Sequence, residues 1–221
     1  IDITYDGIKE IWSNAKPGMK EYEIEAYFNY ILKKNGVKDF AFPTIAATGK
    51  NATILHYVDN NTKTEDGELM LLDLGAQYKY YNGDISRTFP INGKFTERQK
   101  EVYNIVLEAN ETVMKAVKPG VTTGELQDIT KRVLAEGCKR IGLIKEDSEL
   151  NKYYYHGVAH PLGLDTHDVG PRNVELKPGM IITDEPGLYI EEEGIGIRIE
   201  DDILVTEDGY INLSAHIIKS V

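Results

Sequence analysis

The chain has 221 residues, of which 41% are hydrophobic and 28% charged, a composition typical of a folded globular protein. Its 25 basic and 36 acidic residues give a formal net charge of −11, which argues against nucleic acid or an anionic membrane as a main partner. No apolar run reaches the roughly 18 residues of a transmembrane helix. Because the single cysteine, Cys138, cannot form an internal disulfide, a reducing cytoplasm is the expected compartment.

The first part of the chain reads as two helices followed by strands. Helical spacing predicts helices over 5–15 and 21–35, separated by Pro17-Gly18. Runs of apolar residues between turn-forming segments then predict four strands, around 38–42, 52–58, 68–74 and 77–90.

Two capping boxes mark the next helices. Thr96 and Gln99 have the spacing of a capping box and open a long helix that ends near Val117. Thr122 and Glu125 repeat the pattern and open a second helix, which carries the cysteine.

From Tyr153 onward the chain again reads as strands and glycine turns, so the order of elements occurs twice. Lys-Pro-Gly precedes a helix at 16–18 and again at 118–120. Segments 67–75 and 179–187 each carry an apolar run that ends in an acid two residues before a glycine. We expect two pseudo-symmetric halves of one domain, without a linker.

Four acids occupy related positions in the two halves: Asp73, Asp84, Glu185 and Glu200. Carboxylates on half-buried strands are costly unless cations pair with them. Four that converge would repel one another, and two divalent ions would balance their charge. Oxygen ligands with one histidine suit Mn²⁺, Co²⁺ or Zn²⁺, and Asp84 and Glu200, one from each half, are the natural bridging ligands.

Strand alternation sorts the residues around the last of these acids. Arg198 and Glu200 fall on one face of the predicted strand. Asp201 and Asp202 follow directly, and we expect both at the surface.

Three of the five histidines lie in one glycine-rich stretch, at His156, His160 and His167. A single histidine is more often structural than functional, but three within twelve residues indicate a site. His56 and His160 also precede the paired acids of their respective halves.

Together these features resemble the pita-bread metallopeptidases, and in particular their aminopeptidase P and prolidase branch. The matching segments are 54–57, 72–75, 83–89, 156–170, 184–190 and 196–202. The resemblance implies an α+β pita-bread fold, with a curved, mainly antiparallel sheet flanked by helices, and a single catalytic domain over residues 1–221.

The resemblance also implies roles for individual residues. Asp73 would hold one metal ion, His160 and Glu185 the other, and Asp84 and Glu200 would bridge two divalent ions, manganese first and cobalt or zinc as alternatives. The same likeness implies three catalytic residues and four substrate-binding residues. The catalytic set is Glu185, His56 and His167, and the substrate-binding set is His156, Tyr189, Arg198 and Phe42.

The implied reaction is hydrolysis of the N-terminal Xaa-Pro bond of a peptide with proline in second position. A water activated between two metal ions would attack, Glu185 would transfer the proton, and His56 would steady the developing oxyanion. Because proline lacks an N–H and has a fixed φ, a shaped pocket with His167 and Arg198 becomes useful.

Three alternatives stay open. A prolidase would use the same residues on dipeptides, methionine aminopeptidases share the five ligands, and a metal-free relative would be a creatinase-like hydrolase or a binding module. Pro161, after the histidine ligand, departs from the usual family pattern. The chain begins at Ile1, within what resembles the first catalytic helix, so we expect an upstream domain to be absent and the parent protein to be a homodimer.

Overall fold

A computed structural model describes residues 1–171 and 173–219. Its α-helices are α1 (Asp2–Asn14), α2 (Glu21–Lys34), α3 (Glu97–Ala116) and α4 (Thr123–Arg140). Its strands are β1 (Ile45–Thr48), β2 (Leu69–Leu74), β3 (Gln77–Tyr78), β4 (Tyr81–Asn82), β5 (Ile85–Pro90), β6 (Ile181–Asp184), β7 (Gly187–Ile190), β8 (Ile195–Arg198), β9 (Asp201–Val205) and β10 (Tyr210–Asn212). Within the described ranges, no helix combines the length and apolarity needed to cross a membrane.

The two predicted capping boxes are confirmed at the starts of α3 and α4. The Thr96 hydroxyl accepts a hydrogen bond from the Gln99 backbone N–H, and the Gln99 side chain accepts one from the Thr96 N–H. Thr122 and Glu125 make the same reciprocal pair. Each box satisfies two backbone donors that the first turn of a helix otherwise leaves free.

Two antiparallel sheets of three strands form the two halves. The first has the strand order β1-β2-β5 and the second β10-β9-β6, while β7 and β8 form a hairpin between them. The pair α1 and α2 packs on the first half through Ile8, Ile24 and Phe28. The pair α3 and α4 packs on the second half. The predicted α+β pita-bread fold with two pseudo-symmetric halves is therefore confirmed.

Some predicted strands are wrong. Residues 38–42 form no strand, because Phe40 makes only a single bridge while its ring packs on Phe28. Of the predicted strand 52–58, the first two residues end a 3₁₀ turn at Gly49–Thr53 and residues 54–58 are irregular; the strand of this region is β1.

Two longer predicted regions are shorter or broken in the structure. The stretch 77–90 divides into β3, β4 and β5. The described residues between 153 and 180 make isolated bridges and no strand.

A buried arginine of the first half contacts the second half. Arg87, on β5, is 1% exposed and donates to the Glu200 carbonyl oxygen at 2.6 Å. It also donates to the Asp201 carboxylate at 2.7 Å. The predicted surface position of Asp201 and Asp202 is therefore wrong, since both are fully buried. Arg87 and Lys219 overcome the burial penalty at Asp201 and lower the pKa of its carboxyl group.

Replacing Arg87 with methionine should strongly destabilise the chain, because Asp201 would keep a buried charge with a weakened set of partners. We expect a loss of about 3–5 kcal/mol in the free energy of unfolding, measured by urea denaturation. Arg140→Met breaks an exposed pair with Glu108 and should cost less than about 1 kcal/mol. Equal losses in both variants would contradict this assignment.

Candidate active site

A cleft of about 530 Å³ lies where the two halves meet. Both halves contribute to its wall, through Asp73 and Asp84 from the first and Glu185 and Glu200 from the second. Ten of the eleven predicted site residues line it: Phe42, His56, Asp73, Asp84, His156, His160, His167, Glu185, Arg198 and Glu200. Tyr189 is buried behind the cleft wall.

The four acids reach the cleft from equivalent strand ends. Asp73 lies near the end of β2, and Asp84 directly precedes β5. In the second half Glu185 directly follows β6, and Glu200 directly precedes β9. Since β2 pairs with β5 and β6 pairs with β9, each pairing brings its two acids to the same end of a sheet.

Ligand-type atoms converge at the centre of the cleft. One atom each from Asp84, His160 and Glu200 lies within 4.8 Å of the others. The His160 Nε2 atom is 3.5 Å from Asp84 Oδ2 and 3.4 Å from Glu185 Oε1. Its Nδ1 atom lies 3.0 Å from the Pro161 carbonyl oxygen, which orients Nε2 toward the carboxylates.

Burial and mutual repulsion govern the ionisation of this cluster. Burial and the neighbouring Glu200 raise the pKa of Asp84 well above its usual range, and Glu200 is shifted in the same direction. Burial raises the pKa of Glu185 to about 8. Burial lowers the pKa of His160 to about 4, so the imidazole is neutral near pH 7, the form that binds metals.

The donor set fits divalent cations. The Asp73 Oδ1 atom is buried and has no hydrogen-bond partner within the described residues. An unpaired buried carboxylate oxygen that lies near further buried carboxyl groups is costly without a cation. Carboxylate oxygens with one imidazole nitrogen are ligands suited to first-row divalent metals.

A chain of hydrogen bonds runs along the wall of the cleft. Arg198 donates to Asp73 Oδ2 at 2.6 Å and to the Tyr189 hydroxyl at 3.0 Å. The Tyr189 oxygen lies 2.8 Å from His156 Nε2. Burial, followed by the charge of Arg198, lowers the pKa of His156 to about 4. These hydrogen bonds therefore link one predicted metal ligand, Asp73, to three predicted substrate-binding residues.

Sequence reasoning missed two hydroxyl groups that hold the acids. Ser86 donates to Glu200 Oε2 at 2.6 Å, and the Thr183 hydroxyl donates to Glu185 Oε1 at 3.3 Å. Thr183 lies two residues from the acid that it contacts, where strand alternation puts both on one face, so this spacing was a signal in the sequence. Alternation also puts Ser86 on the face of Asp84, but its contact with Glu200 joins residues 114 apart, and no local spacing indicates it.

A buried acid anchors the loop that carries His56. Glu21, at the start of α2, is 0% exposed. Its carboxylate accepts hydrogen bonds from four donors: the Thr48 and Thr62 backbone N–H groups, the Asn51 amide and the Tyr57 hydroxyl, at 2.7–3.1 Å. Because Tyr57 follows His56 directly, Glu21 restrains the position of that histidine. On the facing side of the cleft, the His167 ring lies 4.2 Å from the His160 ring.

The family model for metallopeptidase family M24 matches residues 1–207. The chain belongs to family M24. Membership in this family implies divalent metal ions, in agreement with the donor set of the cleft. The M24 chain is 43% identical to the Xaa-Pro aminopeptidase of Escherichia coli (strain K12), over 99% of this chain and 54% of that protein. It is 36% identical to human Xaa-Pro aminopeptidase 3, over 99% of this chain and 46% of that protein.

Solved structures agree with this M24 membership. A Bacillus anthracis structure, 60% identical, matches with a TM-score of 0.98 over 100% of this chain and 53% of that one. Escherichia coli aminopeptidase P with the inhibitor Pro-Leu, 41% identical, gives a TM-score of 0.95 over 99% of this chain and 54% of that one. The chain thus spans about half the length of the relatives it matches.

Removing metal should make stability depend on pH between pH 6.5 and 8. At pH 6.5, the reference pKa of histidine, His156 and His160 are neutral in the folded chain and half protonated in the unfolded chain; this opposes the fall in stability only weakly, because little of that protonation remains above about pH 7.5. In this window the raised pKa of Glu185, about 8, means that the folded state binds more protons, so stability falls as pH rises. We expect the Tm of chelator-treated protein to fall from pH 6.5 to pH 8, measured by calorimetry.

Added Mn²⁺ should raise that Tm, and more at pH 8 than at pH 6.5, because metal binding displaces the protons. A metal-free Tm that stays constant across this window would rule out the proposed ionisation of the cluster.

Glu21→Gln should loosen the loop of His56, because an amide has one acceptor oxygen and turns an NH₂ group toward donors. We expect a loss of about 1–3 kcal/mol in the free energy of unfolding, measured by urea denaturation. Glu97→Gln removes the same charge from an exposed position on α3 and should change the free energy of unfolding by less than about 0.5 kcal/mol. Matching values for the two variants would refute the anchoring role.

Proposed function

We propose that this chain is the catalytic domain of an Xaa-Pro aminopeptidase, which hydrolyses the bond before a proline in second position. The observation that carries the proposal is the convergence of Asp84, His160 and Glu200, within 4.8 Å, in a cleft lined by the other predicted residues. The relatives named Xaa-Pro aminopeptidase, matched over 99% of this chain, support it. So does the Escherichia coli aminopeptidase P structure with the inhibitor Pro-Leu.

Five residues hold two divalent metal ions in this proposal. Asp73 would hold one ion, His160 and Glu185 would hold the other, and Asp84 and Glu200 would be shared between the two. Manganese is the first candidate, with cobalt and zinc as alternatives that tolerate the same ligands. Bound ions would supply Lewis acidity and a water activated at neutral pH.

Proton transfer falls to Glu185. Its Oε1 atom lies near His160, while Oε2 is 3.8 Å from His156 Nδ1, so its two oxygens have different neighbours. The carboxylate accepts a proton from the attacking water and then donates it to the proline nitrogen, which must be protonated to leave. Thr183 holds the Oε1 side in place during both transfers.

The histidines and the apolar wall position the peptide. His56 donates to the scissile carbonyl oxygen as negative charge develops there. His167, His156 and Arg198 enclose the proline side, with Tyr189 fixing the last two from behind. Phe42 provides apolar surface for the ring. A pocket that recognises the shape of the pyrrolidine ring suits proline, since the proline nitrogen in a peptide bond carries no hydrogen that could donate a hydrogen bond.

Metal content is the first test of this proposal. After incubation with Mn²⁺ and desalting, elemental analysis should find about two ions per chain. Asp84→Ala should lose the metal and hydrolysis together, because it removes a bridging ligand. Retained activity with normal metal content in Asp84→Ala would contradict the ligand assignment.

Peptide length separates the enzyme classes. The loaded chain should release free alanine from Ala-Pro-Ala and leave Ala-Ala-Ala intact, as followed by chromatography. Cleavage of Ala-Pro alone would identify a dipeptidase instead. A metal-loaded chain that cleaves neither proline peptide would contradict the enzymatic proposal and favour a binding module.

A further inference from the structure

A second cavity of about 580 Å³ adjoins the cleft. The two cavities share Phe42, Pro43 and Val58, so the apolar wall of the cleft is also one wall of this groove. We call it the acidic groove, and it is lined by Glu25, Asp39, Phe40, Ala41, Phe42, Pro43, Thr44, Val58 and Asn60. None of the residues described as lining it belongs to the predicted metal or catalytic set.

The ionisable groups that line the acidic groove are both carboxyl groups. Glu25, on α2, and Asp39, in the loop before β1, contribute carboxyl groups. Glu25 Oε2 accepts a hydrogen bond from the Asn60 amide at 2.9 Å. Among the described lining residues there is no lysine, arginine or histidine to balance the two acids.

A second observation also points to a ligand. Thr44 lines the acidic groove and is 2% exposed. Its hydroxyl group finds no hydrogen-bond partner among residues 1–171 and 173–219. Buried hydroxyl groups without partners are uncommon because they forfeit their hydrogen bonds to water. A ligand that brings donors into the groove would supply the missing partner.

We propose that the acidic groove binds the cationic side chain of a lysine or arginine in the peptide substrate. The long aliphatic stem of such a side chain suits the wall formed by Phe42 and Val58, and its charged end suits Glu25 and Asp39. Continuity with the cleft puts the groove within reach of a bound peptide. This inference rests on the proposed function and specifies its substrate class.

Two positions of the peptide can deliver this side chain, the residue before the proline or the residue after it. Both present the same chemistry to the groove, and a peptide series distinguishes them. Arg-Pro-Ala and norleucine-Pro-Ala differ in charge at the first position. Ala-Pro-Arg and Ala-Pro-norleucine differ at the third position, and norleucine keeps the apolar stem without the charge.

The test measures kcat/KM for all four peptides with the metal-loaded chain. We expect arginine to exceed norleucine by about 5–30-fold at one of the two positions, and the ratio to shrink at high salt. Glu25→Gln and Asp39→Asn, alone and combined, should bring the ratio toward 1. Glutamine at position 25 keeps an oxygen for the Asn60 amide, so the groove stays supported.

Glu97→Gln is the matched control, because it removes one charge from α3, which contributes no residue to either cavity. It should leave the ratio unchanged, which separates a local contact from the effect of net charge. Equal rates for arginine and norleucine at both positions, or a preference that survives in the combined variant, would overturn the inference. Hydrolysis of Ala-Pro-Ala reports on the proposed function separately, so a failure of the groove is distinguishable from a failure of the enzyme assignment.

Discussion

Like charges held together in a buried place are the constraint on which this structure depends. Strand pairing brings Asp73 and Asp84 to one end of a sheet and Glu185 and Glu200 to the matching end of the other. Burial and their mutual repulsion oppose full ionisation, which is why the pKa values of Asp84, Glu185 and Glu200 are raised. The groups packed around these acids therefore have to offset the repulsion between the carboxylates.

Protein groups alone relieve only part of it. Arg198 places one positive charge against Asp73, and the Ser86 hydroxyl donates to Glu200. One arginine and a few hydroxyl groups do not balance four carboxylates, and a buried Asp73 oxygen stays unpaired among the described residues. Divalent cations fit this imbalance in both charge and ligand type, as the membership of family M24 implies.

Most of the candidate site could be predicted because the same pattern of acidic residues occurs in both halves of the sequence. The acids recur in the same order in both halves, and three histidines cluster within one short stretch, so local pattern was enough to select residues that do meet in one cleft. The starts of the helices after Thr96 and Thr122 could also be predicted, since a capping box is formed by two residues three positions apart in the sequence.

The sequence-based predictions are wrong where contacts with residues far away in the sequence determine the local structure. Asp201 looks like a surface acid until Arg87, 114 residues away, pairs with it inside the protein. The sequence of 52–58 resembles a strand, but the buried Glu21 carboxylate accepts hydrogen bonds from Asn51, just before it, and from Tyr57, within it, and so holds the segment as a loop. The local hydrophobic pattern around these segments does not indicate Arg87 or Glu21 as a partner, because such ion pairs and buried hydrogen bonds form only in the completed fold.

The contact between Arg198 and Asp73, residues 125 apart in the sequence, has a consequence for how the protein matures. During synthesis the first half emerges with two of the acids and none of their partners from the second half. With the proposed ligands, a metal ion would meet a complete set only after the halves have docked, and docking requires contacts between residues far apart in the sequence, which form slowly. Competing metals would then be discriminated by the geometry of the folded cleft as well as by their intrinsic affinity for the ligands.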